Sequence, residues 1–499
     1  MFALVMVIFV IYFGIIRELG FKVNGDLYTI LSTVSACKNY ISGNFDANLF
    51  PDALLSSPHT NILSWGIAIL ATLFDFEPIK AFYLLGPLGV LVFVFSFDYF
   101  LSGLAIKANR RALVIIGTVL LVPATVSFNY VGDGIFTLID IFVTSFGWRI
   151  IGFSLFFLCL AQSLNSERKL SFSGLFLLML TSFALSNIHL LNYLMYLILL
   201  FGYTIAKLLT DRTLKKELVA VWCFALAGGA INLIFWPFYS LIPLLNQSLA
   251  DFRTSPMTQD PGSYAVNSLK YHLNLLSFAV LGLIYLVGEK NKFVKFTSIT
   301  CLVIILGSLF IPFLRFPFFW RFVSLLKILL IIAVVDYISI KITSYTTAIA
   351  FSLFITLCFV YTGKTIEIVA KRTDSQFALY QELKKLDLRK GTILSDERTA
   401  NVIQAIPFYK VYAIPSGHIA SRTVAKDNLA KMEVLGEVLK TYDYQKINRF
   451  LVNQKIAYVV INKEARFVET CKILIANDFS FYPKAIQTSD LTVFVITAI

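Results

Sequence analysis

What most constrains this chain is a procession of long apolar runs separated by short loops whose charge alternates. Runs able to cross a bilayer fall near 2–19, 80–104, 112–128, 148–164, 173–187, 190–207, 218–237, 271–288, 294–312, 320–340 and 344–363. Most approach the roughly twenty residues that a helix needs to span a hydrocarbon core. The 499 residues are 58% hydrophobic and 15% charged, with a mean hydropathy of +0.76. A soluble domain has too much surface for that composition, and a bilayer takes the excess. The expected architecture is a polytopic α-helical membrane domain of about eleven spans, covering 1–364, followed by an extracytoplasmic α/β domain over 365–499.

Loop charge supplies the orientation. Lys107, Arg110 and Arg111 follow the second run, and Arg168 and Lys169 the fourth. Lys207, Arg212, Lys215 and Lys216 follow the sixth, Lys290, Lys292 and Lys295 the eighth, and Lys341 the tenth. Every second short loop is basic. Basic loops stay cytoplasmic, which places the N-terminus inside, the C-terminal domain outside and the protein in the cell (inner) membrane. The same clustering accounts for the net charge of +13 without invoking nucleic acid. One apolar stretch, NILSWGIAILATLFD at 61–75, would reverse every later basic loop if it crossed. It reads instead as a juxtamembrane or re-entrant helix within a first outer loop over 17–79. Such a segment is tolerated at membrane depth where protein or a wet cavity covers its polar groups. Residues 136–147 read as interfacial too. Residues 2–16 lack a basic n-region and a small-residue cleavage site, so they read as a retained span. That run is short for a span, consistent with a native start upstream of Met1.

Six cysteines show no C-x-x-C spacing. Cys159, Cys223, Cys301 and Cys358 sit in apolar runs as small core side chains, whereas Cys37 and Cys471 lie outside them and a bridge between those two is one option. From about 365 the pattern changes. Short β-branched runs at 392–396, 410–414, 457–462 and 491–496 alternate with helical patterns near 398–406, 425–440, 443–453 and 463–477. That alternation predicts a small α/β domain with a largely parallel sheet, its last strand paired as a hairpin with 482–487.

Chemistry concentrates in three places. The first outer loop begins KVNGDLYTI and runs through Asp46 and Asp52 to SSPHTN, which contains His59. Asp26, just beyond the first run, is placed either to act as a general base on a bound hydroxyl or to cap the helix that follows it. The second is LRFPFFWRF, where Arg315 and Arg321 can grip a lipid phosphate or snorkel from a helix end. Lys327, deeper in that run, points inward by the cost of an intramembrane charge. Asp336 reads as solvated near the cytoplasmic end, and Asp98 takes the same reading. In the third, ILSDERT and IPSGHIASRT each follow a strand, so Asp396, Arg398, Thr399, Gly417, His418 and Arg422 converge on the strand ends where α/β sheets bind ligands. Asp396 has the alternative of capping the next helix. All four histidines, His59, His189, His272 and His418, fall on the outer side of this topology. There is no P-loop, G-x-G-x-x-G, G-x-S-x-G or H-E-x-x-H.

NGDLYTI with Asp26, SPHTNILSWGIAIL, the KANRR turn and the segment ILSDERT to IPSGHIASRT together resemble the GT-C superfamily of polyprenyl-phosphate-sugar-dependent membrane glycosyltransferases. The resemblance implies a long first outer loop with interfacial helices, and an acidic residue after the first span as catalytic base. It implies a lipid-linked sugar donor and a glycan or protein acceptor contributing a hydroxyl. On that reading Asp26 is catalytic, while Arg315, Arg321 and Lys327 hold the donor phosphate. Asp46, Asp52, His59, Asp396, Arg398 and His418 contact substrate. Many members carry two acidic residues together, whereas this chain offers Asp26 alone, so no metal ligand set follows and a divalent metal ion stays open as cofactor. The competing class is a transporter or flippase, or a non-catalytic scaffold, for lipid-linked glycans. Transporters commonly show two related halves with interrupted helices, and this chain shows no such symmetry.

Overall fold

The computed structural model describes residues 25–43, 62–108, 110–115, 147–212, 215–234, 291–310, part of 322–336, 375–386, 388, 391–406, 409–413, 422–465, 468–477, 479–488 and 490–496. Its elements in chain order begin with α1 (Gly25–Ile41), α2 (Ile62–Leu73), α3 (Pro78–Gly103), α4 (Gly147–Arg168), α5 (Phe172–Ile188), α6 (Leu190–Asp211), α7 (Lys216–Ile234) and α8 (Lys292–Phe310). They continue with α9 (Ser375–Lys384), β1 (Thr392–Leu394), α10 (Glu397–Gln404), β2 (Lys410–Val411), α11 (Arg422–Leu439), α12 (Tyr444–Asn453) and β3 (Ile456–Asn462). A short 3-10 turn, Lys463–Ala465, precedes α13 (Glu469–Ala476), β4 (Lys484–Gln487) and β5 (Leu491–Val495). The chain groups into two compact units, one of Met1–Phe21, Tyr83–Trp236 and Ser248–Thr373, the other of Lys22–Phe82, Pro237–Gln247 and Asp374–Ile499.

The first unit is helical. Ser171 caps α5 by accepting from the backbone N–H of Gly174 at 3.1 Å, and Arg212, in the left-handed region, ends α6. Helix α5 packs against both α4 and α7. Gly228 makes the second contact close: a Cβ there would lie 2.8 Å from Ser182 Cβ and 2.9 Å from Phe183 N. Small residues that let backbones approach are what helix pairs in lipid rely on, since lipid removes the hydrophobic drive between them. Phe93, Phe97, Phe100 and Phe157 form an edge-to-face and stacked cluster between α3 and α4. Among the described residues, Asn192–Asp211 is the one stretch long and apolar enough to cross a membrane; Ile62–Leu73, Leu91–Gly103 and Phe172–Ile188 are shorter apolar helices.

Several charges in this unit are paired. Arg111 donates to Asp98 at 2.7 Å and Arg110 to Asp336 at 2.8 Å. This corrects the expectation that Asp98 and Asp336 are merely solvated: each carboxylate is about four-fifths shielded and meets a guanidinium of the KANRR turn. The cost of a shielded charge left alone explains the pairing. Lys207 likewise joins Glu167 at 2.8 Å, and Tyr203 donates to the same carboxylate at 2.8 Å.

The second unit holds a five-stranded sheet in the order β2-β1-β3-β5-β4. β1 runs parallel to β2 and β3, with Ile393 opposite Val411 and Leu394 opposite Val459. β5 runs antiparallel to both β3 and β4. The sheet is thus mixed, where a largely parallel one was expected, while the hairpin expected between the last strand and 482–487 is the one that β4 and β5 form. The reason is local: Thr488 N donates to Leu491 O at 2.8 Å and Leu491 N to the Thr488 hydroxyl at 2.9 Å. That tight turn obliges β4 and β5 to pair as a hairpin, and β5 inserts beside β3. Helices α11, α12 and α13 cover the sheet through a core that includes Leu435, Leu439, Ile447, Leu451, Val459, Leu474 and Phe494. Asp443 caps α12, accepting from Gln445 N at 3.0 Å and Lys446 N at 3.3 Å. Cys37 and Cys471 are both buried free thiols, so the bridge considered between them is not formed.

Candidate functional site

Asp26 lies in the first turn of α1, one residue inside the start at Gly25. A carboxylate in a first turn is favoured by the exposed N–H groups and the helix dipole. The same helix is built into the second unit. Leu31, Val34 and Cys37 are fully buried, and α1 packs on α2 and on α10. Tyr40 meets Trp65 of α2 edge-to-face at 5.8 Å, and Lys38 donates to the Phe76 carbonyl at 2.8 Å. Helix α2, the stretch predicted not to cross, has 12 residues, a length of about 18 Å that falls short of a hydrocarbon core. Further along, Glu77 pairs with Lys384 of α9. Ser35 donates to the carbonyl of Ala405, at the end of α10, at 2.8 Å. Helices α1 and α2 therefore pack with α9 and α10, and the helix of Asp26 rests on the helix that Asp396 opens.

Asp396 is completely buried and is the N-cap of α10, its Oδ1 accepting from Arg398 N and Thr399 N, each at 3.0 Å. Burial raises its carboxyl above the usual carboxylate value, while hydrogen bonds from Thr399 and the helix N–H groups oppose the rise. Burial, together with the neighbouring Asp396 carboxylate, also pushes the Cys471 thiol up to about 11. Arg398 is partly exposed in the first turn of α10. Asp46, Asp52, His59, Arg315, Arg321, Lys327 and His418 lie outside the described residues. Among the described residues no three His, Cys, Asp or Glu side chains gather as a metal site.

A second polar cluster, not anticipated from the sequence, closes one end of α4–α7. His189 alone separates α5 from α6, and its Nδ1 caps α6 by accepting from Asn192 N at 3.3 Å. Asn187 donates to Asn232 Oδ1 at 3.0 Å, and Asn232 in turn donates to Phe183 O at 3.1 Å and to the Ser186 hydroxyl. Tyr193 donates to Ala225 O at 3.0 Å. Three asparagines within otherwise apolar runs were the available signal, since buried polar side chains in such runs are costly.

The chain shares its fold with two solved structures. One is ArnT from Cupriavidus metallidurans bound to undecaprenyl phosphate, at a TM-score of 0.59 and 12% identity, covering 99% of this chain and 98% of that one. The other is the archaeal oligosaccharyltransferase AglB from Archaeoglobus fulgidus in complex with an inhibitory peptide and a dolichol-phosphate, at a TM-score of 0.51 and 11% identity, covering 94% of this chain and 69% of that one. No protein-family model matches the chain, and no curated protein does.

Proposed function

We propose that this protein transfers a sugar from a polyprenyl-phosphate donor to an acceptor hydroxyl on the outer side of the cell membrane. One observation carries the reading: the fold is co-extensive with a structure that holds undecaprenyl phosphate, over 99% of this chain. The chemistry follows from the residues. Asp26 takes the proton of the acceptor hydroxyl, whose oxygen attacks the anomeric carbon. The bond from that carbon to the phosphate oxygen breaks, and its electron pair leaves on the polyprenyl phosphate. Positive charge grows on the sugar and negative charge on the phosphate, so fixed cations at Arg315, Arg321 and Lys327 stabilise the transition state more than the ground state. Asp46, Asp52, His59, Asp396, Arg398 and His418 supply contacts to substrate. Supporting the placement of Asp26, its helix is anchored by Ser35 and by the buried Leu31 and Val34, and a rigid base is what a proton transfer requires.

Purified protein in proteoliposomes tests the reading. A transferase releases free polyprenyl phosphate from a glycosylated carrier only when a hydroxyl acceptor is present. Movement of the intact glycolipid between leaflets without that release supports a flippase instead.

A further inference from the structure

We infer that the end of the α4–α7 group where α5 gives way to α6 binds the hydroxyl groups of a sugar through the Asn192 carboxamide. The inference rests on the proposed function only for its choice of probe. Asn187, Asn232 and Ser186 satisfy one another across α5 and α7, as polar groups that fasten apolar helices together should. Asn192 does not join them. It is 1% exposed, and among the described residues neither its Nδ2 nor its Oδ1 has a hydrogen-bond partner. A buried polar group left so costs about 1–3 kcal/mol, and a leucine of similar volume would avoid that cost. A side chain kept at such a cost is the kind that a ligand completes.

The surroundings define the ligand. Gly152 of α4 lies against the amide: a Cβ there would sit 3.4 Å from Asn192 Nδ2 and 3.1 Å from His189 Cβ. His189 Nδ1 accepts from the backbone of Asn192, so that nitrogen carries no proton and the neutral ring carries its proton on Nε2. The described polar side chains here are amides, hydroxyls and an imidazole with a bare Nδ1, whereas the ion pair of Glu167 with Lys207 lies at the far end of α4 and α6. A phosphate would find no countercharge among them. A carboxamide offers one acceptor and two donors, which complements hydroxyl groups that both give and take hydrogen bonds. Among the described side chains the groups suit a neutral sugar.

The test compares full-length wild type with Asn192→Leu. The readouts are the unfolding midpoint of the ligand-free protein and binding of undecaprenyl phosphate with and without a glucose, galactose, mannose or N-acetylglucosamine unit. Wild type should prefer at least one glycosylated carrier over the bare one. Asn192→Leu should keep or raise the midpoint, bind bare undecaprenyl phosphate as wild type does, and lose about tenfold of the preference, the loss of one good polar contact. Gly152→Ala, which keeps the amide and crowds it, should lower the preference as well and serves if Asn192→Leu does not fold. A lower midpoint for Asn192→Leu with preference intact makes the amide structural and overturns the inference. So does a wild type indifferent to all four sugars, or a Gly152→Ala variant that keeps full preference. Preference for a sugar without any transfer would leave this inference standing and sink the proposed activity instead.

Discussion

The Ser35 hydroxyl donates to the carbonyl oxygen of Ala405 at 2.8 Å, across 370 positions of sequence and with both groups buried. It ties the middle of the helix that begins beside Asp26 to the end of the helix that begins after Asp396. Two segments singled out separately from the sequence thereby share one mechanical support. Ser35→Ala should cost about 1 kcal/mol, the net worth of one such bond. The cost should appear as a lower unfolding midpoint that the exposed Ser42→Ala does not reproduce.

Asp396 gives a pH dependence with a definite sign. Its folded-state carboxyl is raised above the ordinary 3.8 by burial, so the folded state holds that proton more tightly than the unfolded one. The group's contribution to stability is complete below that ordinary value and is lost as pH rises through the raised value. Asp396→Asn keeps a good N-cap and removes the buried charge, so it should flatten this stretch of the stability profile. Asp396→Ala loses the cap at about 1 kcal/mol and should lower the midpoint throughout. A profile of the asparagine variant as steep as wild type would contradict the assignment.

The guanidinium–carboxylate pairs of the KANRR turn predict coupling. Asp98→Asn and Arg111→Gln should each destabilise, and the double variant should cost less than their sum. The coupling should be on the order of 1 kcal/mol, as found for partly shielded pairs in direct contact. Strict additivity in a double-mutant cycle of unfolding midpoints would mean that the 2.7 Å contact contributes nothing.

Close helix packing is tested by Gly228→Ala. The added methyl would press on Met179 O and on Ser182 Cβ, backbone and a short side chain that have little room to yield. A loss of about 1–3 kcal/mol is expected, while alanine at the open position Gly436 should be neutral or mildly stabilising.

Local signals in the sequence were enough to find the elements of the C-terminal domain. Strands β1, β3 and β5 fall on the β-branched runs, and Asp396 and Asp443 mark helix starts because capping is decided by residues three or four apart. Sheet order and strand direction were less legible. β5 takes an interior position through a hairpin whose turn rests on one threonine hydroxyl, and periodicity carries no information on which strand a hairpin joins. The packing of α1 on α10 was invisible for the same reason, since Ser35 and Ala405 have no pattern linking them. Charge alternation located the basic turns but could not reveal that Arg110 and Arg111 meet Asp336 and Asp98. Asn192 escaped notice because one amide in an apolar run looks the same whether its partner is a neighbouring helix or is missing.

The central claim is catalytic, and the variant Asp26→Asn addresses it most directly. The amide keeps the size and the helix-start position of the carboxylate but cannot accept the proton of an acceptor hydroxyl. The decisive measurement is transfer from a glycosylated polyprenyl phosphate in proteoliposomes, with donor binding followed separately. The account predicts that transfer falls by at least about a hundredfold, the lower end of what a general base contributes, while donor binding and the unfolding midpoint stay near wild type. Transfer within a few-fold of wild type would contradict it.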